Sequence, residues 1–525
     1  MLEKIAAIWP EIVMLIAACA CLATGLAPAL GVRRMTPWVA MAGLVVALII
    51  AMCDSRTGLT FAVFVKMIVA LFGILLLFVA INVPERLRTT RLVESGQKAF
   101  DPGLAQRGEF YAFFLLSLVG VMLTAGASDL IWLFLALELT SLPTYVMVAT
   151  SRDKRAAQEA AVKYFFLGAM AAAVFLYGFA MIYGASGYTD FGGIGSVLQQ
   201  QVAAGGLSPL MTLGLALSLL GIAFKIAAFP MHFYTADVYQ GATTPVTTFL
   251  AFVPKTAGFA AMILLLSLVP GKLPESIQWL LAIMAVLTMT IGNVMGLLQQ
   301  NVKRVLAYSS VAHSGYMLVG LVAINGTTFA RGSQAVLFYL IGYALASIAS
   351  FGVIGSLKAR GDEAETFDDL SGLAKRYPMM AGILLVSMLS LIGLPPMIGF
   401  LGKVYLLEMA WANDFGWLVI VVVLNSAISA VYYLRFIGAA YFSHANEQTQ
   451  TVDAPWRRIA ALLTAATVVI AGFFGQTIVD WTIAATPASV AASKAVKIAD
   501  VPVLNEATKP APQVAAPVVN ADEQS

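Results

Sequence analysis

The chain has 525 residues, of which 60% are hydrophobic and 11% charged, with a formal net charge of +3 and a mean hydropathy of +0.86. Soluble domains carry roughly 25% charged residues, so this composition excludes a soluble globular protein and leaves an all-α polytopic membrane protein. The basic residues form no block that could track a phosphate backbone, which argues against nucleic acid as a partner.

A spanning helix needs about 20 mostly apolar residues. Such runs lie near 12–30, 37–53, 59–82, 109–127, 129–149, 160–185, 208–229, 241–269, 276–297, 303–324, 333–357, 379–410, 415–442 and 456–484, which predicts fourteen spans. The first is read as a retained span rather than a signal peptide, because Glu3 offsets Lys4 and the apolar run is long enough to cross. Cys19, Cys21 and Cys53 lie in or beside the first two runs without a C-x-x-C pair. That argues against a disulfide framework and against thiolate ligation of a cluster. His232, His313 and His444 fall in three separate segments, so no metal or bis-histidine haem site is expected. No cofactor is therefore expected in this chain, and any redox chemistry belongs on another one.

Loop charge sets the predicted direction, because loops near span ends on the cytoplasmic side carry the excess of Lys and Arg. One set of alternate loops holds Arg33, Arg34, Arg86, Arg88, Arg91, Lys98, Arg107, Arg152, Lys154, Arg155, Lys303, Arg304, Lys358, Arg360, Lys375, Arg376, Arg457 and Arg458. The other set holds Lys4, Arg56, Lys272 and Arg331. Both termini are then expected on the outer, periplasmic side of a bacterial inner membrane. Between spans six and seven, "DFGGIGSVLQQQVAAGG" reads as a short amphipathic surface helix. After Trp481 the chain turns rich in Ala, Pro and Val and loses its aromatics, so 485–525 reads as a disordered tail.

Spans seven and twelve each contain proline inside the apolar run with a lysine close by: Lys225 with Pro230, and Lys403 with Pro395 and Pro396. If spans four to eight form a unit and nine to thirteen its copy, an odd number of spans makes the copy inverted, as in transporters with broken helices at matching places. The expected organisation is a three-span region at 1–108, a first five-helix repeat at 109–269, a second at 276–442, a loop and last span at 443–484, and the tail.

Several ionisable residues lie inside apolar runs, where a charge costs about 2.5–3.5 kcal/mol on insertion scales. Lys225, Lys255 and Lys403 are deep, and Glu138 sits within "LIWLFLALELTSLPTY". Burial opposes the charge on an amine and a nearby carboxylate favours it. A carboxylate that approaches and recedes could therefore switch a lysine, and Glu138 with Lys225 is the expected pair. Pro230 has no N–H and clashes with the carbonyl of Ile226, while Pro395 and Pro396 free those of Leu391 and Ile392. Freed carbonyls at membrane depth are tolerated where they line water or protein. The lysines and breaks together predict a hydrated pocket inside the bilayer. Thr244, Thr248 and Lys255 share one helix face, as do Ser309, Ser310 and His313, and such faces can hold a water chain. The plainer reading of intramembrane Ser and Thr is helix–helix hydrogen bonding. Lys163, four residues after Glu159, can form a local ion pair. Lys66 can snorkel or pair, His232 reads as a satisfied polar residue, and His444 as a loop residue.

"FKIAAFPMHFYTADVYQGATTPVTTFLAFVPKTAGF", "NVKRVLAYSSVAHSGYMLVGL" and "LSLIGLPPMIGFLGKVYLL" resemble the antiporter-like membrane subunits of respiratory complex I, NADH:quinone oxidoreductase, and of Mrp-type cation/proton antiporters. "DVYQGA" and the lysine at 403 resemble the N type of these subunits more than the M type, and the chain lacks the long lateral helix of the L type. The resemblance implies fourteen helices with two inverted five-helix repeats. It also implies a proton pathway in which Glu138 is the span-five carboxylate, Lys225 its partner, Lys255 the central relay and Lys403 the terminal lysine, with His313 and Lys163 assisting. FMN, iron–sulfur clusters and quinone would then belong to partner subunits, and the neighbours would be other membrane-arm subunits. The rival readings are a secondary cation/proton antiporter of the Mrp type and a purely structural membrane subunit.

Overall fold

A computed structural model describes residues 7–27, 29–56, 58–81, 107–152, 155–324, 328–359 and 362–484. The predicted tail and the basic residues Arg86, Arg88, Arg91, Lys98, Lys154 and Arg360 lie outside them. Three helices open the chain, α1 (Trp9–Gly25), α2 (Leu30–Ser55) and α3 (Phe61–Ala80). Next come α4 (Arg107–Ala125), α5 (Leu130–Ser151), α6 (Arg155–Ser186), the short α7 (Phe191–Ala203), α8 (Pro209–Ile222), α9 (Thr235–Gly241) and α10 (Thr244–Ser267). The second half holds α11 (Glu275–Leu297), α12 (Val302–Val322), α13 (Phe329–Ile354), a single-turn α14 (Leu373–Arg376), α15 (Pro378–Ile392), α16 (Ile398–Ala412) and α17 (Gly416–Phe442). The chain closes on α18 (Pro455–Phe473) and α19 (Gly475–Ala484).

Eleven described helices are long and apolar enough to cross a membrane by themselves. The other three predicted spans are the 17-residue α1, the interrupted α8/α9 and the interrupted α15/α16. The last predicted span, 456–484, is not one rod: it stops at Phe473 and resumes at Gly475. At that stop a side chain on Gly472 would collide with the Pro396 carbonyl, so the end of α18 lies directly against the break of span twelve.

Helix ends follow local chemistry. Ser208 caps α8 by accepting from Met211 N, with Pro209 in the first turn, where a missing N–H costs nothing. Asp190 caps α7 by accepting from Gly193 N at 2.7 Å, so the amphipathic stretch is helical as expected. Asn301 accepts from the N–H groups of Lys303 and Arg304 to start α12. Gly393, with φ +86°, supplies the left-handed residue that ends α15 ahead of Pro395 and Pro396.

The breaks fall in the fourth span of each five-helix group, α4–α10 and α11–α17. In both groups the first span packs on the second and the third on the fourth: α4 on α5 and α6 on α8, then α11 on α12 and α13 on α15. Lipid supplies no hydrophobic drive for such contacts, so close approach over small residues carries them. A side chain on Gly120 would strike Thr140, and one on Gly315 would strike Met289. Every residue of α10 is buried and α13 is almost as enclosed, whereas α6 and α17 turn much of their surface outward. The middle of the molecule is therefore α10, α12, α13 and the two breaks. A small sheet of order β2-β1-β3, from β1 (Leu357–Ala359), β2 (Asp362–Glu363) and β3 (Thr449–Thr451), covers the face that carries Arg152 and Lys303.

Candidate functional site

Between α8 and α9, residues 223–234 run as non-helical turns across the middle of the protein, and Lys225 lies in them. Its amine donates to Glu138 Oε1 at 3.1 Å and to Ser141 Oγ at 2.5 Å, both on α5. The lysine side chain is 1% exposed and that of Glu138 19%. The predicted pair is formed, and Ser141, one turn beyond Glu138, completes it. That serine was not singled out from the sequence, although its position three residues after the carboxylate was the available signal.

The carbonyl freed by Pro230 has a use. Ile226 O accepts from Lys255 Nζ at 3.2 Å and from Ser314 Oγ at 2.5 Å. Lys255 also donates to Ser310 O at 2.6 Å and to Ser314 Oγ. Its three acceptors match the three donors of an ammonium, yet no described carboxylate pairs with it. The same device recurs at the second break. Lys403 donates to the freed Ile392 O at 2.7 Å and to Ser426 Oγ at 2.5 Å, and its Nζ lies 4.9 Å from the Tyr316 ring centre.

Helix α12 joins these lysines. Ser310 and Ser314 hold Lys255, His313 lies between them on the same helix, and Tyr316 carries Lys403 on its ring face. His313 Nδ1 is 2.7 Å from Tyr339 Oη and Nε2 is 2.8 Å from Tyr433 Oη, which is itself 2.5 Å from Ser309 Oγ. Tyr239, Tyr339 and Tyr433 carry hydroxyls of the network and were not singled out from the sequence. Lys225 and Lys255 are separated by a cavity of about 10 Å³ lined by Tyr164, Tyr234, Thr235, Tyr239 and Pro254. That is close to the minimum that holds a single water. Thr235 Oγ1 is buried there with no protein partner among the described residues.

Other candidates fall elsewhere. Lys163 is half-exposed, 2.9 Å from Glu159 and 2.9 Å from Asp237, and touches none of the buried lysines. Thr248 Oγ1 donates to the Thr244 carbonyl of its own helix at 2.7 Å, and Thr244 binds Glu363 at the loop face. Lys66 forms a buried pair with Glu11 at 2.8 Å and donates to Ala7 O. His232 is buried, and its Nδ1 has no partner among the described residues, so the expected satisfied histidine is not seen.

Outside the spans, Glu363 accepts from Arg152, Lys303 and Thr244. Burial alone would raise its carboxyl, but the Lys303 and Arg152 cations outweigh that and bring it down to about 2. Arg152 and Glu365 also line an open vestibule of about 300 Å³ with Glu159, Lys163, Asp237 and Gln240.

A family profile described as "NADH:quinone oxidoreductase/Mrp antiporter, TM" matches residues 127–429. NADH-quinone oxidoreductase subunit N of Trichlorobacter lovleyi is 44% identical over 367 residues, covering 69% of this chain and 72% of the relative. A chain of respiratory complex I from Thermus thermophilus superposes with a TM-score of 0.73 at 30% identity, covering 91% of this chain and 100% of that one. A chain of the Mrp complex from Dietzia sp. superposes with a TM-score of 0.74 at 18% identity over 93% of this chain and 99% of that one, a likeness of fold alone.

Proposed function

The chain belongs to the NADH-quinone oxidoreductase subunit N family, and from that premise we propose that it carries protons across the membrane arm of this oxidoreductase through Glu138, Lys225, Lys255, His313 and Lys403. The observation that carries this reading is the buried polar chain itself: a carboxylate–lysine pair, a one-water gap, a second lysine, an imidazole between two tyrosines and a third lysine. A structural scaffold has no need of three such buried amines, two of them without a counter-ion among the described residues, because each costs several kcal/mol to hold charged.

The steps follow from the contacts. When Lys225 loses its hold on Glu138, its amine is left in apolar surroundings and releases a proton toward Lys255 through the gap between them. Protonated Lys255 is held by Ile226 O, Ser310 O and Ser314 Oγ. His313 carries the proton along α12 between the hydroxyls of Tyr339 and Tyr433, and Lys403 delivers it to the outer side. Lys163, in its exposed ion pair beside the vestibule, assists by holding Asp237 on the short helix α9 after the first break. Quinone reduction in partner subunits, which hold FMN, iron–sulfur clusters and quinone, supplies the bias that moves Glu138 relative to Lys225. The chain itself supplies no redox group. Neighbouring antiporter-like subunits and lipid surround it in a bacterial inner membrane, with both termini on the periplasmic side. The Mrp-type antiporter reading is less supported: the family profile names both classes, but the Mrp chain, at 18% identity, shares the fold alone, whereas the subunit N of Trichlorobacter lovleyi is 44% identical.

The test uses the assembled oxidoreductase in liposomes. Glu138→Gln and Lys225→Ala are expected to assemble and to lower NADH-driven acidification, because each removes one partner of the switch. Full acidification in both variants contradicts the reading.

A further inference from the structure

Glu363 binds Arg152, which lines the vestibule, and Thr244, at the start of the helix that carries Lys255. Glu363, on β2, reaches the ends of three helices at once. Its Oε2 accepts from Arg152 at the end of α5, from Lys303 Nζ at the start of α12 at 2.5 Å, and from Thr244 Oγ1 at the start of α10 at 2.7 Å. The Thr244 N–H lies 3.2 Å from each carboxylate oxygen, so the anion also sits on the positive end of α10. These helices, α5, α12 and α10, carry Glu138, His313 and Lys255 respectively. Glu365 closes the same seam by accepting from Arg152 at 2.9 Å and from Asn301 at 3.2 Å.

The clasp is buried on its inner side and open to the vestibule on its outer side. Lys303 is fully buried, and Gly355 lies against the methyl group of Thr244, whereas Arg152 and Glu365 form part of the vestibule wall. Inward of the clasp, Thr247 donates to the Tyr239 carbonyl at 3.0 Å, and the Tyr239 hydroxyl is 3.2 Å from Ser310 Oγ, next to the acceptor of Lys255. Lys255 itself lies eleven residues along α10 from Thr244, about 16 Å at helical rise.

We propose that Glu363 is a positioning residue that closes the loop-face end of the path to Lys255, clasping α5, α10 and α12 so that a proton in the vestibule enters the relay only when the clasp opens. The inference rests on the reading of Lys255 as a relay. Glu363 does not itself carry the proton. With its carboxyl held down to about 2, it is a fixed anion throughout the working range of pH. Its effect is to keep three helix ends together and water out.

The experiment measures passive proton leak, without NADH, through the assembled oxidoreductase in liposomes under an imposed pH gradient. Glu363→Gln keeps the shape but removes the anion that Arg152 and Lys303 hold. The leak is expected to rise about tenfold, the rate equivalent of about 1.4 kcal/mol off the barrier, and NADH oxidation is expected to stop slowing as the gradient builds. A merely structural role would not make that leak depend on Lys255. Adding Lys255→Met to Glu363→Gln is therefore expected to return the leak to the level of the unmodified protein. If Glu363→Gln prevents assembly, Thr244→Val decides, because it removes one hydroxyl and leaves both ion pairs; its leak is expected above that of the unmodified protein. An unchanged leak in the assembling variant overturns the clasp but leaves the relay reading to stand or fall on Glu138→Gln and Lys225→Ala. A raised leak that persists with Lys255→Met also overturns it, because the opened route would then bypass the relay.

Discussion

Two prolines act here through what they remove. Each frees a carbonyl, Ile226 O in one break and Ile392 O in the other, and a buried lysine takes it as an acceptor. The freed carbonyls were legible in sequence, because proline clashes with the carbonyl four residues back, but the lysine that takes each one was not. The imidazole environment was not legible. Tyr339 and Tyr433 stand 26 and 120 residues from His313 and carry no local mark distinguishing them from packing aromatics. Tyr433→Phe strips the hydroxyl shared by His313 and Ser309 while keeping the ring, so it is expected to assemble normally and to lower acidification per NADH oxidised in liposomes. Lys163 is a different case. Its half-exposed pair with Glu159 and Asp237 is worth about 0–1 kcal/mol at most, and Lys163→Ala is expected to change the thermal stability of the purified complex little.

At the scale of elements, α12 is the spine of the site: its capped start is held by the clasp, its middle by Lys255 and its far half by Lys403. Its fit against α11 depends on Gly315, where an added methyl group meets the Met289 backbone. Gly315→Ala is expected to destabilise by about 1–3 kcal/mol, whereas Gly382→Ala on α15, which meets nothing within 4 Å, is expected to be silent; thermal unfolding of the two variants checks the contrast. The N-terminal helices hold their own buried pair, Glu11 on α1 with Lys66 on α3. Breaking it by Lys66→Met leaves an uncompensated anion and is expected to cost about 3–5 kcal/mol, with much of that recovered in the double variant Lys66→Met/Glu11→Leu. The yield of assembled complex reads out both. Hydropathy placed these elements well, because long apolar runs have one stable form in lipid. It treated 456–484 as a single helix, whereas the helix stops at Phe473, where Gly472 lies against Pro396 of the distant break.

Across the whole molecule, two five-helix groups each place a broken helix near the centre, and α10 and α12 bring the two halves of the proposed relay into contact. The sequence showed the repeat only as two Lys–Pro neighbourhoods in opposite order. In three dimensions Lys403 reaches the carbonyl freed in its own break, whereas the one freed beside Lys225 is taken by Lys255. Glu363 was invisible to sequence reading: a loop carboxylate 211 residues from Arg152 looks like any solvated charge until the fold joins them. Its folded-state carboxyl lies below its unfolded value, so the stability it contributes is fully present above about pH 4.5 and is lost as pH falls toward about 2. Between pH 5 and 8 the passive leak is therefore expected to show no step from this group.

The most direct measurement is the number of protons moved per NADH oxidised by the complex in liposomes with Lys255→Ala, the amine on which both halves converge. The ratio is expected to fall below that of the unmodified complex while the variant still assembles. An unchanged ratio in a correctly assembled variant would mean that protons cross by a route that does not use the buried lysines.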